Sequence, residues 1–219
     1  MPPVRRSAVL FDLDGTLLDT VPLILASVRH AFAGQRRRPT DAEWIAGIGT
    51  PLRVQLEAWS DGPEHLEALV ERYRRHQRTH HDRMTRAYPA AVETVRALHA
   101  RGHPIAIVTG KLSGPAQRSL EYVGLAPFVS ALVGADSCAH HKPHPEPVLT
   151  ALDRLGAAPA EAVFVGDSPV DVAAGNAAGV VTVAALWGAC TRDALAASRP
   201  AHLCARVDEL PALVDRLRA

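Results

Sequence analysis

Ala8-Val9-Leu10-Phe11-Asp12-Leu13-Asp14-Gly15-Thr16 is the stretch that decides the fold. Four apolar residues stop at two carboxylates set two positions apart, and Gly15 lets the chain turn sharply behind them. A short continuous apolar run bounded by a turn signal reads as a buried parallel strand. The pattern recurs along the chain. Ile105-Ala106-Ile107-Val108 runs into Thr109-Gly110, Ala131-Leu132-Val133 stops at Gly134, and Ala162-Val163-Phe164-Val165 stops at Gly166-Asp167. A fifth run covers 180–183. Between them, residues 91–100, 115–123, 145–155 and 170–178 are each long enough for a crossover helix. This alternation predicts an α/β fold, a doubly wound parallel sheet.

One segment breaks the rhythm. From about Thr20 to Met84 only helical patterns occur, at 23–32, 52–59 and 64–80, separated by Gly34 and Pro39 and by Ser60-Asp61-Gly62-Pro63. The expectation is a small helical domain at 20–85, inserted after the first strand of a core made of 1–19 and 86–219.

Composition narrows the class. The 219 residues are 47% hydrophobic, enough for a packed interior. Lys and Arg (24) nearly cancel Asp and Glu (23), so the net charge of +1 gives no general field for nucleic acid or anionic lipid. Arg72, Arg74, Arg75, Arg78, Arg83 and Arg86 crowd the insert without interleaved aromatics, which reads as a solvated helix face. Three cysteines at unrelated spacings suit a reduced cytosol. Arg5 and Arg6 precede an apolar run too short for a signal core, and no run of ~18 apolar residues follows. A cytoplasmic protein is expected, as monomer or homodimer, with a small molecule rather than nucleic acid or membrane as its partner.

The acids carry the chemistry. An isolated Asp-x-Asp usually caps a turn or helix. Here Val165-Gly166-Asp167-Ser168-Pro169-Val170-Asp171 repeats the arrangement after another strand, with Asp171 one helical turn beyond Asp167. Ligands in open α/β sheets sit outside the carboxyl ends of strands where the order reverses. If the strands ending at Asp12 and Asp167 are neighbours, then Asp12, Asp14, Asp167 and Asp171 converge. A hard divalent cation, magnesium by default, would relieve their repulsion. Asp167 also suits a helix cap, and both roles can coexist. Thr109-Gly110-Lys111 offers a hydroxyl and amides to a phosphoryl oxygen. Lys142, in His140-His141-Lys142-Pro143-His144-Pro145, can neutralise a carboxylate and a phosphate together. The three histidines read as exposed loop residues, since no pair sits beside a clear third ligand.

The ordered set Asp12-Leu13-Asp14-Gly15-Thr16, Thr109, Lys142-Pro143 and Gly166-Asp167-Ser168-Pro169-Val170-Asp171 resembles the four motifs of the haloacid-dehalogenase-like superfamily. More narrowly it resembles the phosphoglycolate phosphatase and pyrophosphatase group, which carries a helical cap after the first motif. The resemblance spans nearly the whole chain; Gly110 departs from it, standing where many relatives have Asn. It implies a Rossmann-like core and a magnesium-dependent phosphatase acting through a phospho-aspartate. Asp12 would be the nucleophile and Asp14 the acid and base. Magnesium would be held by the Asp12 carboxylate, the Asp14 main-chain carbonyl and Asp167, with Asp171 orienting a bound water or Lys142. Thr109, Gly110 and Lys142 would bind the phosphoryl group. A phosphomutase of the β-phosphoglucomutase type uses the same aspartates, and 48–53 could serve as its cap loop. Within that loop, Thr50 and Arg53 are candidate substrate contacts.

Overall fold

The computed structural model describes residues 7–217; Arg5 and Arg6, weighed above as the flank of a leader, lie outside them. Six parallel strands form the main sheet: β1 (Ala8–Phe11), β4 (Ile105–Val108), β5 (Ala131–Val133), β6 (Ala162–Gly166), β7 (Val181–Ala185) and β8 (His202–Cys204). Their order is β5-β4-β1-β6-β7-β8. The order reverses at β1, which pairs with β4 through Val9↔Ile105 and with β6 through Phe11↔Val165. The carboxyl ends of β1 and β6 therefore meet at a topological switch point.

Alternation along β1 explains why the run is apolar throughout. Val9 and Phe11 face one core, shared with Val95 and Leu98 of α5 (Ala91–Ala100), Leu120 of α6 (Ser113–Tyr122) and Val214 of α10 (Leu210–Arg216). Ala8 and Leu10 face the other, shared with Val148 and Leu152 of α7 (Glu146–Leu155) and Ala174 of α8 (Pro169–Ala178). A strand covered on both faces has no solvent side, so no position in it is polar. Helix α8 is started by a capping box in which Ser168 accepts the Asp171 amide and the Asp171 carboxylate accepts the Ser168 amide.

The segment after β1 is helical: α1 (Val21–Ala31), α2 (Asp41–Ala46), α3 (Leu52–Glu57) and α4 (Pro63–Met84). These helices enclose a cluster of their own, in which Ile24 and Val28 meet Trp44, Leu56, Leu69 and Tyr73. A two-stranded antiparallel pair, β2 (Leu18–Asp19) with β3 (Arg86–Ala87), joins the two ends of this segment. Among the described residues no helix is long and apolar enough to cross a membrane.

Six of the strands and α-helices went unread in the sequence, among them the two-residue strands β2 and β3. Helix α2 has a capping box, Thr40 with Glu43, whose Thr-x-x-Glu spacing was visible. Helix α9 (Arg192–Ala197), strand β8 and helix α10 complete the core beyond β7. Strand β8 is only His-Leu-Cys, without a β-branched residue or a clear alternation.

Candidate active site

Asp12 is the first residue past β1. Its amide donates to the Val165 carbonyl at 2.9 Å, so the ladder with β6 extends to the nucleophile candidate itself. The chain then folds tightly: the amides of Leu17 and Leu18 both donate to the Leu13 carbonyl, and Gly15 takes φ +89. Gly15 has a second constraint. A Cβ there would stand 2.2 Å from Asp167 Oδ2, so the glycine is what allows the Asp167 carboxylate against this turn. Asp167 accepts the Thr16 hydroxyl at 2.9 Å and the Ala189 amide at 2.8 Å.

Carboxylate oxygens of Asp12, Asp167 and Asp171 lie within 4.8 Å of one another, and all three residues are buried. Lys142 reaches into the same space. Its Nζ donates to Asp12 Oδ1 at 2.7 Å, Asp171 Oδ1 at 2.5 Å and the Val108 carbonyl at 3.1 Å. Burial pushes the Asp12 carboxyl well above the ordinary range, against the pull of Lys142 and with the charges of Asp171 and Asp167 adding to the rise. Asp167 is pushed up to about 7, first by burial and then by the charge of Asp171. Burial draws the Lys142 ammonium down, but Asp12 and Asp171 outweigh it and hold it above its usual value. Three buried acids thus face one ammonium. The donor set is all oxygen and carries excess negative charge, which fits a hard divalent cation.

Asp14 does not join that trio through its carboxylate. Its Oδ1 accepts from Lys111 Nζ at 2.7 Å and from the Thr20 hydroxyl at 2.6 Å; the metal role expected of Asp14 was one for its main-chain carbonyl. Thr109 is buried at the end of β4, and its Oγ1 accepts the Lys111 amide at 3.2 Å. The 109–111 turn also explains the glycine at 110. A Cβ there would meet the Gly49 carbonyl oxygen at 2.6 Å, so the loop between α2 and α3 lies directly on the core turn. Gly49, at φ +94, is confined in the same way on the other side, where a Cβ would stand 2.6 Å from Val170 Cγ2 and 2.7 Å from Ser168 Oγ.

Between the insert and the strand ends lies a cleft of about 300 Å³. The core contributes Asp12, Asp14, Thr109, Gly110 and Lys111, and the insert contributes Thr50, Arg53, Gln55, Tyr73 and Arg74. Arg53 is ion-paired with Glu67 of α4, and the Thr50 hydroxyl is turned back onto the Gly47 carbonyl. Lys111 was not singled out in the sequence, although it follows the Thr109-Gly110 turn directly; its importance depends on reaching Asp14 across 97 residues. Arg74, expected on a solvated face, lines the cleft instead. Tyr73 was missed because a tyrosine at helical spacing reads as core; burial, with a contribution from Asp14, holds its phenol above the ordinary range. His140 and His144 are exposed as expected, but the expectation that no third ligand stands beside such a pair is corrected. Glu146 stands beside His140 and His144 as a third potential ligand, at the start of α7.

A parallel α/β sheet with four motif segments gathered at its switch point defines a class of hydrolase core. The model of the haloacid dehalogenase-like hydrolase family matches residues 9–185. A pyrophosphatase PpaX from Bacillus pumilus is 36% identical over 212 residues, which cover 95% of this chain and 96% of that protein. A pyrophosphatase PpaX from Halalkalibacterium halodurans is 40% identical over 180 residues, 80% of this chain and 81% of that one. Among solved structures, a predicted phosphoglycolate phosphatase from Haemophilus somnus 129PT superposes with a TM-score of 0.88 at 24% identity, covering 96% of this chain and 99% of that one. The chain belongs to the haloacid dehalogenase-like hydrolase family and is an enzyme.

Proposed function

We propose that this enzyme is a magnesium-dependent phosphatase that hydrolyses pyrophosphate, or a phosphomonoester of similar size, through a phospho-aspartate on Asp12. The observation that carries the reading is the position of Asp12. One of its carboxylate oxygens is bonded to Lys142, it stands in the buried acidic trio, and it opens into a cleft that Asp14 also lines. Asp12, Asp167 and the main-chain carbonyl of Asp14 would hold magnesium, with Asp171 beside them. The ion would supply charge neutralisation for the nucleophile and the transferring phosphoryl group.

The side chains divide the remaining work. An Asp12 oxygen attacks phosphorus as the bond to the leaving oxygen breaks, giving an acyl phosphate. Asp14 gives a proton to the leaving oxygen, and then takes one from the water that attacks the intermediate. That attack breaks the Asp12–phosphorus bond and releases phosphate. The ammonium of Lys142, the Thr109 hydroxyl and the Gly110 amide stabilise the phosphoryl oxygens, and phosphoryl transfer depends mostly on such positioning and charge.

Substrate choice falls to the insert, read as a cap domain at 20–85 on a core of 1–19 and 86–219. Arg53, Arg74 and Lys111 line the cleft, and although Arg53 is paired with Glu67 and Lys111 with Asp14, the three side chains favour a leaving group that is itself anionic. The pyrophosphatase relatives support the same choice. Phosphate release should be measured from pyrophosphate, phosphoglycolate, a sugar phosphate and a nucleotide, with magnesium and with excess chelator. Release is expected with magnesium alone, fastest from pyrophosphate, and absent in a folded Asp12→Asn protein. Turnover surviving in chelator or in Asp12→Asn would overturn the mechanism. Arg53→Ala should change kcat/KM several-fold between substrates while sparing the magnesium requirement; an unchanged profile in both Arg53→Ala and Thr50→Ala would make 47–51 a plain turn.

A further inference from the structure

The loop that carries Lys142 holds chemistry that the reaction leaves unused. His140 and His144 flank the lysine, and their rings stack with centroids 4.4 Å apart and planes 27° from parallel. Glu146 closes the set. Its Oε2 lies 2.6 Å from His140 Nδ1 and accepts the His140 amide at 2.9 Å, while Oε1 accepts the Ala139 amide at 3.2 Å. The Glu146 amide in turn donates to His144 Nδ1 at 3.2 Å. The carboxylate is therefore held in place by two main-chain amides, with the His140 imidazole on it and the His144 imidazole on the Glu146 amide.

Ligand atoms of the three side chains lie within 4.8 Å of one another. A tetrahedral zinc ion, with bonds of about 2.0–2.2 Å, asks for edges of roughly 3.3 Å. His140 and His144 are exposed, so their rings are free of packing that would hold them at the present spacing. The alternative is an ordinary hydrogen-bonded network around a helix start. Such a network needs one imidazole on Glu146, whereas here a second imidazole is stacked on the first. No other histidine-containing group among the described residues brings three ligand atoms so close; His30, His76 and His80 adjoin without doing so. Two imidazoles and one carboxylate also differ in kind from the Asp12, Asp167 and Asp171 nest, since imidazole favours zinc, copper or nickel over magnesium.

We propose that His140, His144 and Glu146 form a second metal site for a transition ion such as zinc, with water completing the coordination. The site ties together the two ends of the short segment on which Lys142 sits. Calorimetric titration of the full-length protein with zinc, in saturating magnesium, tests it without reference to turnover. The wild-type protein is expected to take up one tightly bound zinc ion. His140→Ala, His144→Ala and Glu146→Gln should each weaken that uptake ~10-fold or more, while Asp167→Asn leaves it unchanged. Far-UV circular dichroism establishes that the variants are folded. Absence of uptake, uptake unaltered in the His140→Ala/His144→Ala double variant, or loss of uptake in Asp167→Asn alone would each overturn the site.

Discussion

Replacing Lys142 by Met tests whether one ammonium holds the acidic nest together. Methionine keeps most of the volume and the flexible stem, so the change removes charge and three hydrogen bonds rather than packing. Asp12 is 3% exposed and Asp171 1% exposed, so neither carboxylate can turn to water when its partner goes. Breaking a buried pair in this way costs about 3–5 kcal/mol. With a urea slope of ~2.5 kcal/mol/M, the unfolding midpoint in chelator should fall by roughly 1–2 M. The loss is also pH-dependent. Asp12 already titrates high in the folded chain, and without the ammonium it is raised further, so the folded chain keeps a proton that the unfolded chain releases; the deficit is largest at pH 8 and shrinks toward pH 5. Magnesium should recover part of it, but turnover should stay ~10³-fold down, because the transferring phosphoryl group has lost a buried cation. The assays are urea unfolding at pH 5 and pH 8, with and without magnesium, and phosphate release. A deficit below ~1 kcal/mol, the same at both pH values, with turnover intact, would refute the reasoning.

Asp167 makes a related prediction for the unmodified chain in chelator. Its folded-state value of about 7 lies above the unfolded carboxyl value of ~3.9, so stability should fall as pH rises between them. Thermal midpoints should decline from pH 5 to pH 7.5, and Asp167→Asn or added magnesium should flatten the decline; a midpoint that rises in both proteins alike would contradict it. Gly110→Ala places a methyl 2.6 Å from the Gly49 carbonyl oxygen, a main-chain neighbour that cannot rotate away. It should lower kcat/KM at least ~10-fold by displacing the insert loop, while the magnesium requirement stays the same. Gly114→Ala, where nothing lies within 4 Å, is the silent control, checked by the same kinetics.

Much of this enzyme was legible from local sequence. Strands β1, β4 and β6 are buried on both faces, and β5 nearly so, and each appears as an unbroken apolar run ending where a turn begins. The acids at those ends then mark the rim of the sheet, since a carboxylate directly after such a run can only stand at its edge. The insert was legible as helices because its apolar residues recur with helical spacing and Gly and Pro divide them. Short edge elements were not legible. Strand β8 and helix α9 are three and six residues long, too short for a period to develop.

What only the tertiary structure decided is partnership. The motifs place Asp12 and Asp167 each at a strand end, but their meeting depends on β1 lying between β4 and β6. Lys111 belongs to Asp14 and Arg74 to the cleft because folding brings them together across long stretches of chain, and no spacing encodes those pairings. Burial decides the rest: Asp12 and Asp167 have ordinary carboxyl groups in the sequence, and their raised affinity for protons arises only where water is excluded and a second acid stands nearby.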